Sequence, residues 1–291
     1  MVIPERLPSK DAKTDFDPRS LVPEGTPGDP PWRGPRACAW PPRPQRTDVP
    51  LIDPADFGTW ILHEDDDLLV VDKPALVVCH PSKAGPASSL VGAARIHTGL
   101  DTVHLIFRLD RETSGVIVMA KTAAMAARLH KATARHRIRK SYLAILTGEL
   151  ALPVTVDQPL GDDIHSQVFI KTAVTPEGRP SVTHFTPLSA GRGFTLAGVA
   201  LETGRKHQIR AHARWLGLPL VGDKIYGPDE LLYLEFIEHG WTAGLAAKLL
   251  LPRQALHCGE IDLRPAGVDF SFKAPLPADL REFCESHALR V

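Results

Sequence analysis

No run in this chain is long and apolar enough to cross a bilayer, and the opening residues, "MVIPERLPSKDAKTDFDPRS", lack the apolar stretch of a secretory leader. A cytoplasmic address with no membrane partner is the expectation. Cysteine is sparse: Cys38, Cys79, Cys258 and Cys284 are scattered over 291 residues with no C-x-x-C pair. That argues against a disulfide framework and a structural zinc site, and four reduced thiols are expected. Net charge is missing too, since Lys plus Arg and Asp plus Glu both number 34. The sum alone therefore does not announce a nucleic-acid binder. There is no Walker-type glycine loop, dinucleotide turn, nucleophile elbow or zinc-deaminase signature. The chain implies no cofactor and no metal.

What is present is an ordinary globular composition, 43% hydrophobic and 23% charged, with enough residues for one large or two medium domains. The charges are unevenly placed. From Lys121 to Tyr142 there are seven Lys or Arg and no acid, and "GRKHQIRAHARWLG" (204–217) adds four more. A basic run is commonly a solvated helix face, but two of them point toward a polyanion.

Residues 1–57 are rich in Pro, Gly and charge without periodicity and read as an extended or partly disordered arm, with Trp32 and Trp40 able to pin it. Residues 58–291 read as one folded domain. Its expected strands are "DLLVVDKP" (67–74), "SGVIVMAK" (114–121) and "KSYLAILTGEL" (140–150). Expected helices are "SSLVGAARIH" (88–97) with a Ser cap and "TAAMAARLHKATAR" (122–135) with Thr122 as cap. The runs 182–188 and 194–204, joined by "SAGRG", form a hairpin by composition, and "HQIRAHARWLG" is a short helix ending at Gly217. The tail offers one more helix, "EFIEHGWTAGLAAKLL", then strands near "ALHCGEIDL" and "VDFSFKA". The fold class is α+β, a largely antiparallel mixed sheet with flanking helices. No apolar stripe is left over for an interface, so a monomer is expected.

"RLDRETSG" (108–115) packs four charges at the mouth of a buried strand. Asp110, flanked by Arg108 and Arg111, would stay ionised and serve as base or nucleophile. The competing reading is an ion pair that ties down a loop. In the helix at 207–217, His207, Arg210 and Arg214 share one face while Ile209, Ala213 and Leu216 share the other, so the helix is expected to present guanidiniums. His207 and His212 are five apart, which suits ordinary hydrogen bonds better than a shared metal. Tyr142 is either a half-buried strand residue or a ring that stacks on a base.

Taken in order, these stretches resemble the RluA-type pseudouridine synthases. That family's signature loop, roughly His-Arg-Leu-Asp-x-x-Thr-Ser-Gly, stands here as "FRLDRETSG", and a second block stands as "TGRKHQIRAHARWLGLPLVGDKIYG" (203–227). Weaker similarity lies in "EDDDLLVVDKP", "KSYLAILTGEL" and "LHCGEIDL" followed by "FKAPLP". The resemblance implies a pseudouridine synthase-like catalytic domain that isomerises uridine in rRNA or tRNA without a cofactor. By motif match Asp110 is the essential aspartate, acting at ribose or base, Tyr142 the active-site tyrosine against the base, and Arg210 the arginine that pairs with the aspartate. Arg108 corresponds to the arginine that enters the space left by a flipped uridine. Arg135, Arg137, Arg139 and Lys140 could follow phosphates, with Arg205, His207 and Arg214 assisting.

The chain departs from the family pattern at Phe107, where His is usual, and at Leu76, where Gly is frequent. No small N-terminal RNA-binding domain is legible, and the insertion at 228–254 is longer than expected. Two rival functions follow. One is a catalytically silent RNA-binding protein of the same fold, which has no chemical reason to keep Asp110, Tyr142 and Arg210 together. The other is a hydrolase using Asp110 and Glu112, whose side chains on a strand-like path would lie about 7 Å apart. The flanking arginines count against it, since one partner needs a raised pKa.

Overall fold

The computed structural model describes residues 51–80 and 86–291. In chain order the elements are α1 (Pro54–Thr59), β1 (Ile61–Glu64), β2 (Leu68–Lys73), α2 (Leu90–Thr98), β3 (His104–Leu105), β4 (Ser114–Ala120), α3 (Ala123–Ala134) and β5 (Arg139–Thr147). There follow β6 (Val154–Asp157), β7 (Leu160–Asp162), β8 (Thr172–Val174), β9 (Val182–Gly191), β10 (Phe194–Leu201), α4 (Gln208–Trp215), α5 (Leu231–His239), α6 (Ala243–Leu249), β11 (Leu256–Asp262), β12 (Ser271–Lys273) and α7 (Ala278–Ser286). Residues 1–50 of the expected arm, with Trp32, Trp40 and Cys38, lie outside the described residues. Its last residues enter α1, where Phe57 is fully buried.

The main sheet runs β1-β2-β4-β11-β5-β10-β9-β6, with β3 on β4 and β12 on β11, and β7 pairs with β8 apart from it. Its pairings are antiparallel except β4 with β11, so the sheet is mixed as its composition suggested. All seven residues of β4 are buried, which explains its uninterrupted apolar sequence. β5 is covered on both faces by alternation. Ala144 and Leu146 join the main core, while Ile145 packs with Leu280, Phe283 and Cys284 of α7.

The caps stand where expected. Ser89 Oγ accepts from the amide of Gly92, and Thr122 Oγ1 from that of Met125. Three expectations need correction, and one element was missed. The strand begun at Lys140 stops at Thr147, because Gly148 turns away at φ 103°. The hairpin is tighter than "SAGRG": β9 continues to Gly191 and the turn is Arg192–Gly193, both at positive φ, as a two-residue primed turn requires. The single helix expected across 235–250 is two, α5 and α6. Gly240 breaks the run at φ 72° and Thr242 caps anew. Finally, α7 was not anticipated, because a nine-residue amphipathic segment gives few turns of pattern.

Candidate active site

Asp110 lies in the loop between β3 and β4, and the residues after it explain how the loop is held. The amide of Thr113 donates to the Asp110 carbonyl at 3.1 Å, closing a turn. Gly115 sits at φ 113°, and a Cβ there would collide with the Cys258 carbonyl. Only glycine lets β11 lie parallel against β4 at this point. From the other side, the fully buried Lys73 donates to the carbonyls of Pro74, Val77 and Arg111 at 2.8, 2.9 and 3.3 Å. Burial pushes its ammonium down to about 8. Leu76, in the same loop, adopts φ 71°, the conformation its glycine counterpart would take without strain, and its carbonyl receives Arg111 Nε at 3.2 Å.

Asp110 Oδ2 accepts Arg210 Nη1 at 2.9 Å and Gln254 Nε2 at 3.3 Å. Arg210 continues into Asp223, with Nε to Oδ2 at 2.6 Å and Nη2 to Oδ1 at 2.8 Å. Asp223 Oδ1 also takes the amides of Ile225 and Tyr226, so this fully buried carboxylate is saturated. One guanidinium therefore bridges two carboxylates, one sealed and one 30% exposed. Burial pushes the Asp110 carboxyl up, but Arg210, His207 and Gln254 together outweigh it and hold the pKa below the usual range. Arg210 is raised in turn, despite burial, by Asp223. Among the described residues no hydrogen bond or ion pair reaches Asp110 Oδ1, which leaves that oxygen for a ligand.

The expectation that α4 presents guanidiniums on an open face is corrected here. Arg210 is buried because the loop carrying Asp223 covers that side of the helix, while Arg214 is exposed. His207 precedes α4 at φ 57° and stands outside the helical face. Its Nδ1 lies 3.0 Å from the Tyr226 hydroxyl and its Nε2 3.9 Å from Asp110. Burial and then Arg210 lower it to about 4, so it is neutral at pH 7. His212 is fully buried. Its Nε2 donates to the Gln158 carbonyl at 3.0 Å, which makes Nδ1 the acceptor of the Thr183 hydroxyl at 2.8 Å. Likewise, Asp110 draws its partners from α4 and the β11 approach rather than from its chain neighbours. Arg108 is exposed and Arg111 points to Leu76.

A cleft opens over these groups, lined by Arg108, Asp110, Tyr142, Arg205, His207 and Arg210 together with apolar residues including Ile209 and Leu256. Six of the sequence-predicted residues thus meet in one place. Arg135, Arg137, Arg139 and Arg214 are exposed but do not line the cleft, and Lys140 stands over the Phe107 ring at 4.6 Å from its centroid. That contact gives the unusual Phe107 its partner. Tyr142 is buried in β5 opposite Cys258 of β11. Burial, then Cys258 and Asp110, push its hydroxyl well above its ordinary value, so the phenol stays protonated. Glu112 faces away from the cleft. Lys224 Nζ donates to its Oε1 at 2.7 Å and the Gln254 amide to its Oε2 at 3.2 Å. With both oxygens engaged and Glu112 absent from the cleft lining, the second carboxylate a paired-carboxylate hydrolase needs does not face the site.

Sequence reasoning missed Gln254, which bonds both Asp110 and the Thr113 hydroxyl (2.8 Å), and it missed the roles of Asp223 and Lys73. The one available signal was that Asp223 falls within "GDKIYG" and Lys73 within "VDKP". Among the described residues no group of three or more His, Cys, Asp or Glu is placed to hold a metal ion.

The family model described as RNA pseudouridylate synthase matches residues 67–215. The chain is 37% identical over 235 residues to ribosomal large subunit pseudouridine synthase D of Xanthomonas campestris, covering 78% of this chain and 69% of that protein. It is 35% identical over 238 residues to the protein of the same name from Vibrio vulnificus, covering 79% and 71%. A similar fold is seen in human RNA pseudouridylate synthase domain containing 4, with TM-score 0.63, 24% identity, and 82% and 96% of the two chains covered.

Proposed function

The chain belongs to the RNA pseudouridylate synthase family and isomerises uridine in RNA to pseudouridine; we propose that the cleft over Asp110 is where this happens and that large-subunit ribosomal RNA supplies the uridine. The reaction breaks the bond from ribose C1′ to base N1, turns the base, and joins C1′ to C5. The proton lost from C5 is matched by one gained at N1, so atoms and electrons balance within the substrate. Asp110 is the essential carboxylate. Its support is the arrangement at the cleft floor: an ionised carboxylate with one oxygen fixed by Arg210 and Gln254 and the other without a partner among the described residues. Arg210 orients it and is itself fixed by Asp223.

Tyr142 lies against the base as a neutral phenol. Held protonated by burial, its hydroxyl donates a hydrogen bond to the uracil. Arg108 and Arg205, exposed at the cleft, meet the RNA there, Arg108 in the space a turned-out uridine vacates. His207, neutral at pH 7, contributes hydrogen bonding rather than charge. Arg135, Arg137, Arg139, Lys140 and Arg214 extend the footprint along phosphates. The ribosomal assignment rests on the names of the relatives, and transfer RNA is the second substrate considered. The residues before α1 act as an arm and the remainder as the catalytic domain of a cytoplasmic monomer. Among the described residues no helix is long and apolar enough to cross a membrane, and Cys79, Cys258 and Cys284 are free.

Pseudouridine mapping in ribosomal and transfer RNA from cells with and without the gene tests the substrate. The expected result is loss of one or more sites in large-subunit RNA alone. Loss confined to transfer RNA would move the substrate there.

A further inference from the structure

The loop from Asp163 to Lys171, between β7 and β8, carries the most exposed large apolar side chain among the described residues. Phe169 is 96% exposed, and Ile164 is 85% exposed. The loop is nevertheless held firmly. Glu230 accepts the Ser166 hydroxyl at 2.8 Å, the Gln167 amide at 3.1 Å and the Lys171 ammonium. Val168, beside the exposed ring, is buried with Leu160, Ala211, Ile225 and Tyr226. An aromatic ring is thus kept in water by a loop that is anchored on both sides of it, through Ser166, Gln167 and Val168 before it and Lys171 after it.

The same loop is tied to the active site. The Thr172 amide donates to the Tyr226 hydroxyl at 2.8 Å, and that hydroxyl meets His207, itself 3.9 Å from Asp110. Lys206, between the cleft-lining Arg205 and His207, reaches Asp162 at the foot of the hairpin at 3.2 Å. Asp163 and Glu230 are paired with Lys171, so each carboxylate of this region has an ammonium partner. Phe169 itself stands three residues from Thr172, within about 11 Å of chain.

Resting on the reading that RNA occupies the cleft, we propose that Phe169 is a stacking platform for an unpaired base of the RNA close to the uridine being modified. Turning a uridine out of its stack leaves neighbouring bases without a face to lie on, and aromatic side chains supply such a face with little sequence preference. The occupant is a base rather than a protein. One exposed ring with Ile164 and the 40%-exposed Ile170 in the same loop is far smaller than the roughly 800 Å² that each partner contributes to a stable protein interface, and the ring's face is close in size to one nucleobase.

The test measures binding and turnover of unmodified transcripts of ribosomal and transfer RNA by the wild type, Phe169→Ala, Phe169→Trp and Asp110→Asn. Phe169→Ala is expected to weaken RNA binding roughly 10-fold. It should raise KM with kcat retained, and it should leave the salt slope unchanged because no phosphate contact is lost. Phe169→Trp should restore wild-type binding. Binding and KM of Phe169→Ala within twofold of wild type would overturn the proposal, as would a loss of self-association in sedimentation with RNA binding intact. The binding comparison stands without turnover, whereas product formed equally by wild type and Asp110→Asn would overturn the reading of Asp110 alone.

Discussion

Arg210 carries one charge between two carboxylates, and the two ends of that bridge do different work. Asp223 is sealed and saturated, so it fixes the guanidinium; Asp110 is partly open and receives the oriented end. Removing one partner of a buried pair leaves the other uncompensated, at a cost of about 3–5 kcal/mol. Asp223→Asn is therefore expected to lower unfolding free energy by that order in denaturant titration, and a loss under 1 kcal/mol would mean that Arg210 finds another anion. A second residue-scale effect is protonic. His212 is lowered from 6.5 to about 4, by burial first, so the folded state holds it neutral where the unfolded chain protonates it. Its contribution is fully present above pH 6.5 and is lost as pH falls toward 4, with a slope of at most about 1.4 kcal/mol per pH unit. His212→Gln should flatten stability against pH in that window relative to wild type. An unchanged slope would show that other groups dominate, His207 among them.

At the scale of elements, local sequence carried most of the information. β4, α3 and α2 were legible because an apolar run, an alanine-rich helix and two hydroxyl caps each have a short-range cause. The parallel approach of β11 to β4 was not legible, since its cause is a glycine opposite a carbonyl 143 residues away. The same holds for Gln254, whose position beside Asp110 depends on Gly222 at φ 75°, where a Cβ would strike the Arg253 carbonyl. α5 and α6 form the insertion. Phe236 and Trp241 lie over Lys224, which holds Glu112, so the insertion reaches the loop of Asp110 through one ammonium. In the neighbouring loop, Leu76 keeps a left-handed backbone that costs a non-glycine residue about 1 kcal/mol or more. Its side chain is half-exposed, so Leu76→Gly is expected to raise stability by about 0.5–1 kcal/mol after the entropy glycine returns to the unfolded chain. A fall in the melting temperature would instead assign Leu76 a packing role.

For the whole molecule, one sheet brings distant segments together at one cleft. Asp110 precedes β4, Tyr142 sits in β5, Arg210 in α4 and Gln254 before β11, and the strand order β4-β11-β5-β10 makes these neighbours. The motifs announced the first three residues, while their geometry followed from pairings of high sequence separation that no local pattern encodes. In the proposed function a single carboxylate, oriented by Arg210 and Gln254, carries the isomerisation. Asp110→Asn should fold, because Arg210 keeps both hydrogen bonds to Asp223. The most direct measurement is pseudouridine formed when purified wild type and Asp110→Asn are incubated with uridine-labelled RNA from cells lacking the gene. Product is expected from the wild type, and from Asp110→Asn a folded protein that binds RNA and forms none. Product from Asp110→Asn at a rate comparable to wild type would contradict this role of Asp110.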